Sequence, residues 1–344
     1  MALNSRLLSL LATGLLCAVV GAQSGTDLLR RSLEARSRTK AVLVQVQSMP
    51  GKSSSAVTVK VEMDGSGRMR RTILQPLRVA NSLSIDDGNS WISLAPDEKV
   101  ARVQPSVDLV SDSIANRMNL IRNNYSVSAI RGPVIAGRST VLLTCRPKTN
   151  RELPVRRIYI DQKNFLMLRL ELAEADKEIE RLVDTTVAEF PSKIDPDRFK
   201  VSVPAGYTVE RCTPTVRLTD ALRASKLVGF SPKVPNELPF GFVVEHYEVI
   251  RPGPTSGLLA LRLSDGFVTL TAYQWATSDS KTRFPSQRSR TIQSNGLKMV
   301  VIGQLDRRLL DLIIEQFTRL LLGSMGPGTI SEPNKFVCLQ APVE

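Results

Sequence analysis

Apolar and polar residues alternate along most of the first half of the chain, which is the pattern of half-buried β-strands. Residues 26–38 come first and place leucines on one helical stripe, so they predict a helix. Strands are predicted at residues 41–47, 56–63, 68–74, 83–85, 91–94 and 99–103. A second helix at residues 106–123 precedes further strands that end at residue 190. So many strands in one antiparallel sheet must twist and curl.

Three of the predicted strands carry an unbroken apolar set on one face. The sets are Val42, Val44 and Val46, then Val57, Val59, Val61 and Met63, and later Leu166, Leu168, Leu170 and Leu172. A strongly curled sheet has a concave apolar side, which must be covered by helices or filled by a ligand. These positions are therefore predicted either to face a lipid or to form an ordinary core beneath the helices. The sequence leaves both alternatives open.

A second region follows a proline-rich stretch at residues 191–214, which predicts a linker. The later pattern predicts a helix at 216–226, a strand at 243–250, a hairpin over 257–275, a strand at 296–303 and a helix at 305–322. Asp265-Gly266 lies at the centre of the hairpin, and this dipeptide is typical of a tight two-residue turn with positive φ at both positions.

The predicted fold class is α+β. A large curved antiparallel sheet with covering helices is expected at residues 23–190, and a smaller α+β domain at residues 215–344. Residues 1–22 have the basic start, apolar run and small-residue end of a secretory signal peptide. The alternatives are an uncleaved anchor and a lipoprotein modified at Cys17, although Leu16 stands where lipoprotein processing requires a small residue. Export predicts a periplasmic or other extracytoplasmic protein.

The formal net charge of +13 over 344 residues favours acidic partners, such as anionic lipid headgroups or an acidic peptide. Nucleic acid is not expected as a partner, because the chain is exported and only 5% of its residues are aromatic. The basic residues of one long loop are Lys281, Arg283, Arg288 and Arg290. This loop is predicted to be either solvated and flexible or a docking site for an acidic partner.

The chain lacks the residue patterns of common catalytic and metal sites. His246 is the single histidine, so no Ser-His-Asp arrangement or zinc site is predicted at these spacings. No glycine-rich phosphate loop occurs. We therefore expect no enzymatic activity and no cofactor. Cys145 fits a buried small side chain, whereas Cys212 and Cys338 are a candidate disulfide, and the sequence does not choose the pairing.

Several short motifs occur in one order along the chain. They are NYSV at 124–127, IAGR at 135–138, CRPK at 145–148, RIYID at 157–161, LPFGF at 238–242, LSDGF at 263–267 and VVIGQ at 300–304. In this order the chain resembles the MucB/RseB family of periplasmic sigma-factor regulators, whose first domain resembles the lipoprotein carrier LolA. Leu263 and Phe267 depart from the tyrosine and leucine of the family's hairpin.

The resemblance implies a two-domain periplasmic binding protein with a LolA-like half-barrel. Its curved sheet would accept the acyl chains of a lipid or lipoprotein. Its second domain would contact the exported segment of an anti-sigma factor or another envelope protein. The alternative function is a periplasmic carrier of lipid or lipoprotein of the LolA type, for which the second domain has little use.

Overall fold

Two β-sheets, each with its own helices, make up the part of the chain that the structure describes. The computed structural model describes residues 24–50, 52–106, 111–149, 152–174, 177–211, 215–253, 257–279, 282, 291–294, 296–303, 305 and 307–322. The large sheet has twelve strands and the small sheet has six. The predicted α+β class, with one large antiparallel sheet and a smaller second unit, is confirmed.

The large sheet begins with a helix and six strands. These elements are α1 (Gly25–Ala35), β1 (Lys40–Met49), β2 (Lys52–Asp64), β3 (Met69–Gln75), β4 (Leu83–Asp86), β5 (Ser90–Ala95) and β6 (Val100–Pro105). After α2 (Ser111–Asn124) come β7 (Tyr125–Arg131), β8 (Thr140–Pro147), β9 (Val155–Asp161), β10 (Met167–Ala173), β11 (Glu180–Glu189) and β12 (Thr208–Arg211). The spatial order is β12-β6-β5-β4-β3-β2-β1-β11-β10-β9-β8-β7, so β11 returns beside β1.

The small sheet packs against the two remaining helices. Its elements in chain order are β13 (Val216–Leu218), α3 (Ala221–Val228), β14 (Val243–Arg251), β15 (Leu258–Ser264), β16 (Thr269–Ala276), β17 (Thr291–Ser294), β18 (Leu297–Gly303) and α4 (Arg307–Leu322). The spatial order is β13-β14-β15-β16-β18-β17. Ile313 and Phe317 of α4 are wholly buried against this sheet, in one cluster with Leu261 and Met299.

Two stretches differ from the elements that the sequence predicts. The helix predicted at 216–226 begins only after Asp220, whose carboxylate accepts a hydrogen bond from the backbone N–H of Leu222 and caps α3. The residues before it form β13 and pair with β14, beginning with Val216 opposite Val249. Within 191–214, where a linker is predicted, β12 extends the large sheet by pairing in parallel with β6.

Helices α1 and α2 cover part of the large sheet. Leu29 of α1 and Ile121 of α2 pack in one buried cluster with Leu143, Cys145 and Ile158. Cys145 is a free thiol with no exposed surface, and its burial raises its pKa to about 12. Cys145 therefore packs as a buried small apolar side chain, as its position in the sequence suggests.

The turn between β15 and β16 is longer than the predicted two-residue turn. Ser264 pairs with Thr269, so four residues connect the strands. Gly266 has φ of 102°, whereas Asp265 is not among the residues with positive φ. The Asp265 carboxylate accepts hydrogen bonds from the backbone N–H groups of Phe267 and Val268, which fixes a wider loop.

Candidate functional site

The apolar sets predicted in β1 and β2 lie on opposite faces of the sheet. Val61 is paired with Leu43, and Val59 with Gln45. The β1 set Val42, Val44 and Val46 is instead paired with Glu62, Lys60 and Thr58. Because neighbours across a ladder share a face, the two predicted sets cannot line one surface.

Of these two faces of the sheet, the one that carries the apolar side chains of β2 is the more deeply buried. We call it the Val59 face, and its side chains are Ala41, Leu43, Val57, Val59, Val61, Met63 and Met69. Val59 is 1% exposed and Val61 is 5% exposed, whereas Val46 on the opposite face is 38% exposed. Of the predicted lipid-facing positions in β1 and β2, only the β2 set belongs to this apolar surface.

The leucines predicted to share one face of β10 are divided between two clusters. Leu166 and Leu168 pack with the Val59 face, whereas Leu170 packs with the cluster beneath α1 and α2. Leu172 is buried and is paired with Arg156 of β9. The pairing of β10 with β9 shifts between Met167 and Arg169, and such a bulge interrupts strict alternation.

A chain of polar side chains crosses the Val59 face from β3 to β11. Arg71 Nη2 donates to Gln47 Oε1 at 2.6 Å, and Gln47 Nε2 donates to Gln45 Oε1 at 2.8 Å. Gln45 Nε2 then donates to Thr185 Oγ1 at 3.1 Å. Of these residues, only Arg71 interrupts an apolar set, because it stands between Met69 and Ile73 of β3. Gln45 and Gln47 occupy the ordinary polar positions beside Val44 and Val46, so the sequence gives no signal for them.

Arg71 is the cationic end of this polar chain. Burial lowers the pKa of Arg71, and the charge of Arg36 lowers it further. Arg36 Nη2 lies 3.5 Å from the sulfur of Met69, which precedes Arg71 by two residues on the same face of β3. Among the described residues, no carboxylate lies within ion-pair distance of Arg71.

The arginines on the opposite face of β2 and β3 have carboxylate partners. Glu62, which is 3% exposed, accepts from Arg198 Nε at 2.8 Å and lies 3.8 Å from Arg70 Nε. Lys60 Nζ lies 3.6 Å from the same carboxylate. Glu62 therefore supplies one shared carboxylate to the cations on that face, whereas no described carboxylate lies within ion-pair distance of Arg71.

The two sheets meet at a buried joint. Tyr125, the first residue of β7, donates its hydroxyl to Asp265 Oδ2 at 2.5 Å. The preceding Asn124 donates its side-chain amide to the backbone oxygens of Gly241 at 3.0 Å and Asp265 at 2.9 Å. Burial raises the pKa of Tyr125, with a further contribution from the negative charge of Asp265. The LPFGF and LSDGF motifs thus contact the same end of α2.

Close packing reinforces the joint. The ring of Phe267 meets Tyr125 edge to face, with ring centroids 4.8 Å apart. The guanidinium of Arg156 lies 5.0 Å from the centroid of Phe267. Arg117 Nε donates to the backbone oxygen of Gly266 at 2.9 Å. A Cβ atom at Gly266 would lie 2.8 Å from Ile121, so glycine is required for this approach.

The remaining sequence-predicted residues do not form a further described site. Lys281, Arg283, Arg288, Arg290, Cys212 and Cys338 lie outside the described residues, as does the predicted signal peptide. His246 Nε2 is 2.9 Å from Glu248 Oε1, so the single histidine is a hydrogen-bond partner of a carboxylate on β14. Burial alone would raise the pKa of Glu248, but hydrogen bonds and charges from His246 and Arg262 outweigh it and lower the pKa to about 2.

Neither a metal-binding cluster nor a membrane-spanning helix occurs in the described part of the chain. Its described side chains include no group of three or more His, Cys, Asp or Glu residues that could hold a metal ion. No described helix combines the length and apolar character needed to span a membrane.

Three solved structures share this architecture. The MucA/MucB complex of Pseudomonas aeruginosa aligns with a TM-score of 0.57 and 16% identity, over 90% of this chain and 99% of that chain. A crystal structure of MucB aligns with a TM-score of 0.55 and 16% identity, over 85% and 96% of the two chains. MucB in complex with MucA(peri) aligns with a TM-score of 0.55 and 15% identity, over 84% and 96%. The chain has the fold of MucB.

This likeness confirms, at the level of the fold, the MucB/RseB resemblance that the short motifs carry. Two of those motifs, LPFGF and LSDGF, now have a structural role, because they form the small-sheet side of the joint. No family model matches the sequence, and no curated protein matches it. The likeness to MucB is thus one of three-dimensional structure. At a sequence identity of 15–16%, it establishes the fold alone.

Proposed function

We propose that this chain is an exported, non-enzymatic binding protein that regulates envelope signalling. In this proposal the large sheet takes up an acyl chain of a lipid or lipoprotein. The rest of the molecule binds the exported segment of an anti-sigma factor or another envelope protein. The observation that carries the proposal is the MucB fold over nearly the whole length of MucB, in structures that include complexes with MucA.

The Val59 face supports lipid uptake. Its valine, leucine and methionine side chains come from three neighbouring strands, and a polar chain crosses it. These side chains are buried in one cluster with Ala35 of α1 and Leu168 of β10, so an acyl chain would take the place of this cover. Each methylene group that leaves water for such a surface contributes about 0.8 kcal/mol. An acyl chain of moderate length therefore gains enough free energy to shift a conformational equilibrium of a few kcal/mol.

The proposed division into domains follows the two sheets, except that β12 of the large sheet lies within the connecting residues 191–214. Residues 1–22 are a signal peptide, 23–190 form the lipid-binding domain, 191–214 form a connection, and 215–344 form the partner-binding domain. The net charge of +13 supports an acidic partner segment. The joint at Tyr125 and Asp265 supports communication between the domains, because its buried contacts come from both sheets.

A carrier of the LolA type is the alternative function. Such a carrier needs a lipid-binding sheet, but it has no evident use for a small sheet fastened to it by buried hydrogen bonds and aromatic packing. A carrier would extract lipoprotein from one membrane and deliver it to another. A regulator would bind lipid and change its affinity for a protein partner without delivering the lipid.

Native mass spectrometry of the protein purified from its own envelope tests the proposal. We expect a lipid adduct and a co-purified envelope protein, and we expect added lipid to lower the fraction that carries the partner. Net transfer of labelled lipoprotein between two vesicle populations would support the carrier instead. A chain that carries neither lipid nor partner, and that binds neither when they are added, would contradict both functions.

A further inference from the structure

We propose that the edge of the large sheet at β7 binds an extended, acidic segment of a partner protein, which joins the twelve strands as one more. The inference rests on the proposed binding of an envelope protein segment, and it adds the conformation and the charge of that segment. It also gives the large sheet a partner contact beside the joint, because β7 begins at Tyr125.

The pairing of β7 with β8 decides which backbone groups of β7 point away from the sheet. Gly132 N donates to the Thr140 oxygen at 2.9 Å at one end of the pair, and Lys148 N donates to the Asn124 oxygen at 2.8 Å at the other. The two strands keep one register between these ends. Hydrogen-bonded pairs alternate along an antiparallel ladder, so the even-numbered residues of β7 bond to β8. The N–H and C=O groups of its odd-numbered residues therefore point outward.

Ala129 and Arg131 form the open part of this edge. The start of α1 lies against the preceding odd-numbered residue, because a Cβ atom at Gly25 would be 2.7 Å from the backbone oxygen of Val127. Among the described residues, neither Ala129 nor Arg131 has a partner for its outward N–H or C=O group. The two residues therefore offer both donors and acceptors to an added strand.

The β7 strand lacks the features that protect many sheet edges. It has seven residues, no proline and an unshifted register with β8, whereas the edge strands β12, β13 and β17 have only three or four residues. Short strands, prolines and bulges are common means of preventing unwanted strand addition. Ile130 is 61% exposed and Val134 is 68% exposed, and both lie at the open end of β7. They provide apolar contacts for alternate side chains of an added strand.

The cations around this edge favour an acidic segment. Arg131 ends β7, and Arg146 of β8 is paired with Ser126. At the other end of β7, Lys148 donates its Nζ to the backbone oxygen of Arg122. These four cations are exposed, and none has a carboxylate within ion-pair distance in the described part of the chain. They attract an acidic segment, whereas a second copy of this chain would bring the same charges together and be repelled.

Calorimetric titration of the full mature chain with three matched peptides tests the inference. The acidic probe is a capped seven-residue peptide of alternating glutamate and valine. In one control peptide lysine replaces glutamate, and in the other proline replaces valine and removes the N–H groups that a strand needs. We expect the acidic probe to bind about tenfold more tightly than either control peptide, because only it combines negative charge with a pairing backbone. Equal binding of the three peptides would overturn the inference.

Variants of the edge separate its backbone from its charge. Ala129→Pro removes an outward N–H and leaves the hydrogen bonds to β8, so it should weaken binding of the acidic probe about tenfold. Urea denaturation checks that this variant is folded. Arg131→Glu leaves the backbone intact and should weaken the acidic probe while strengthening the lysine peptide. Arg223→Glu makes the same charge change at an exposed position on α3 and should alter neither. Equal effects of the two charge reversals would mean that net charge alone attracts the probe.

Amide hydrogen exchange determines where the acidic probe binds. In the free chain, the outward amides of Ala129 and Arg131 should exchange faster than those of Ser128 and Ile130, which bond to β8. Added probe should slow exchange at Ala129 and Arg131. Binding without slower exchange at these two amides would place the probe elsewhere and overturn the inference.

The remaining outcomes concern the occupant and the proposed function. If sedimentation shows a dimer that Ala129→Pro dissociates, a second copy of the chain occupies the edge and the acidic segment is wrong. If the acidic probe does not bind but an envelope protein co-purifies equally with wild type and Ala129→Pro, the edge inference fails and the proposed function stands. If neither the probe nor any envelope protein binds, both fail.

Discussion

The hydroxyl of Tyr125 donates a 2.5 Å hydrogen bond to the carboxylate of Asp265, and this bond fastens the large sheet to the β15–β16 turn of the small sheet. Tyr125 is 2% exposed and Asp265 is wholly buried. The same carboxylate accepts the backbone N–H groups of Phe267 and Val268. One buried charge therefore shapes the turn and holds the two sheets together.

Removing the hydroxyl should weaken the whole molecule. In Tyr125→Phe, the Asp265 carboxylate stays buried but loses its O–H donor. Loss of one partner of a buried charged group costs about 1–3 kcal/mol. We expect the free energy of unfolding to fall by this amount in urea denaturation followed by circular dichroism.

Tyr207→Phe is the matched control, because Tyr207 is half-buried and its hydroxyl has no hydrogen-bond partner among the described residues. Its free energy of unfolding should change by less than about 0.5 kcal/mol. Equal effects of the two substitutions would mean that the Tyr125 hydroxyl does not stabilise the joint.

The tight approach of Gly266 to α2 predicts a second effect. In Gly266→Ala, the new methyl group would lie 2.8 Å from Cγ1 and the backbone nitrogen of Ile121, at φ of 102°. The variant should lose about 2 kcal/mol or more of stability and should open the joint. Protease cleavage near the joint should therefore become faster than in the wild-type chain.

Gly67→Ala separates backbone strain from the steric clash. Gly67 has φ of 96°, and a Cβ there would meet nothing within 4 Å. This variant should lose about 1 kcal/mol from the positive φ alone and should keep the joint closed. If Gly67→Ala were as destabilising as Gly266→Ala and exposed the joint equally, packing against Ile121 would not be the reason.

Glu248 predicts how stability changes in acid. Its pKa falls from an ordinary value of 4.5 to about 2 in the folded chain, where His246 and Arg262 hold its carboxylate ionised. A lowered folded-state pKa stabilises the fold above the unfolded-state value, and that contribution is lost as the pH falls toward 2. The free energy of unfolding should therefore decline between about pH 5 and pH 2.

The comparison for this prediction is Glu248→Gln, which has no carboxylate at that position. The stability difference between wild type and variant should be largest near neutral pH and should shrink across the same acidic range. A difference that stays constant down to pH 2 would show that ionisation of Glu248 contributes nothing to the fold. Urea denaturation at a series of pH values provides the measurement.

Local patterns in the sequence predict the strands well but predict long-range contacts poorly. Alternation at Val57 to Met63 correctly separates the apolar face of β2 from Glu62 and Lys60. The same reasoning could not establish that the β1 valines face the other way, because the register between two strands is a long-range property. It also could not detect the bulge in β10, which divides the predicted leucine set.

The Asp265-Gly266 turn shows the same limit more sharply. The dipeptide is typical of a tight hairpin turn, so its sequence alone gives no reason to expect a contact with another part of the chain. In the structure, the loop has four connecting residues, and its carboxylate and glycine serve contacts with Tyr125 and Ile121. No periodicity in one segment reveals a partner more than a hundred residues away.

The opposite orientation of the β1 and β2 valines leads to the last prediction. Val59 is 1% exposed on the Val59 face, whereas Val44 is half-buried on the other face, opposite Lys60. Threonine has nearly the shape of valine but brings a hydroxyl group. Val59→Thr should therefore destabilise the fold by about 1–3 kcal/mol and weaken the binding of glycerol monolaurate, because the hydroxyl would lie in apolar surroundings. Val44→Thr should change both quantities little. Urea denaturation and calorimetric titration measure the two effects, and weaker lipid binding in Val44→Thr than in Val59→Thr would assign the lipid to the opposite face of the sheet.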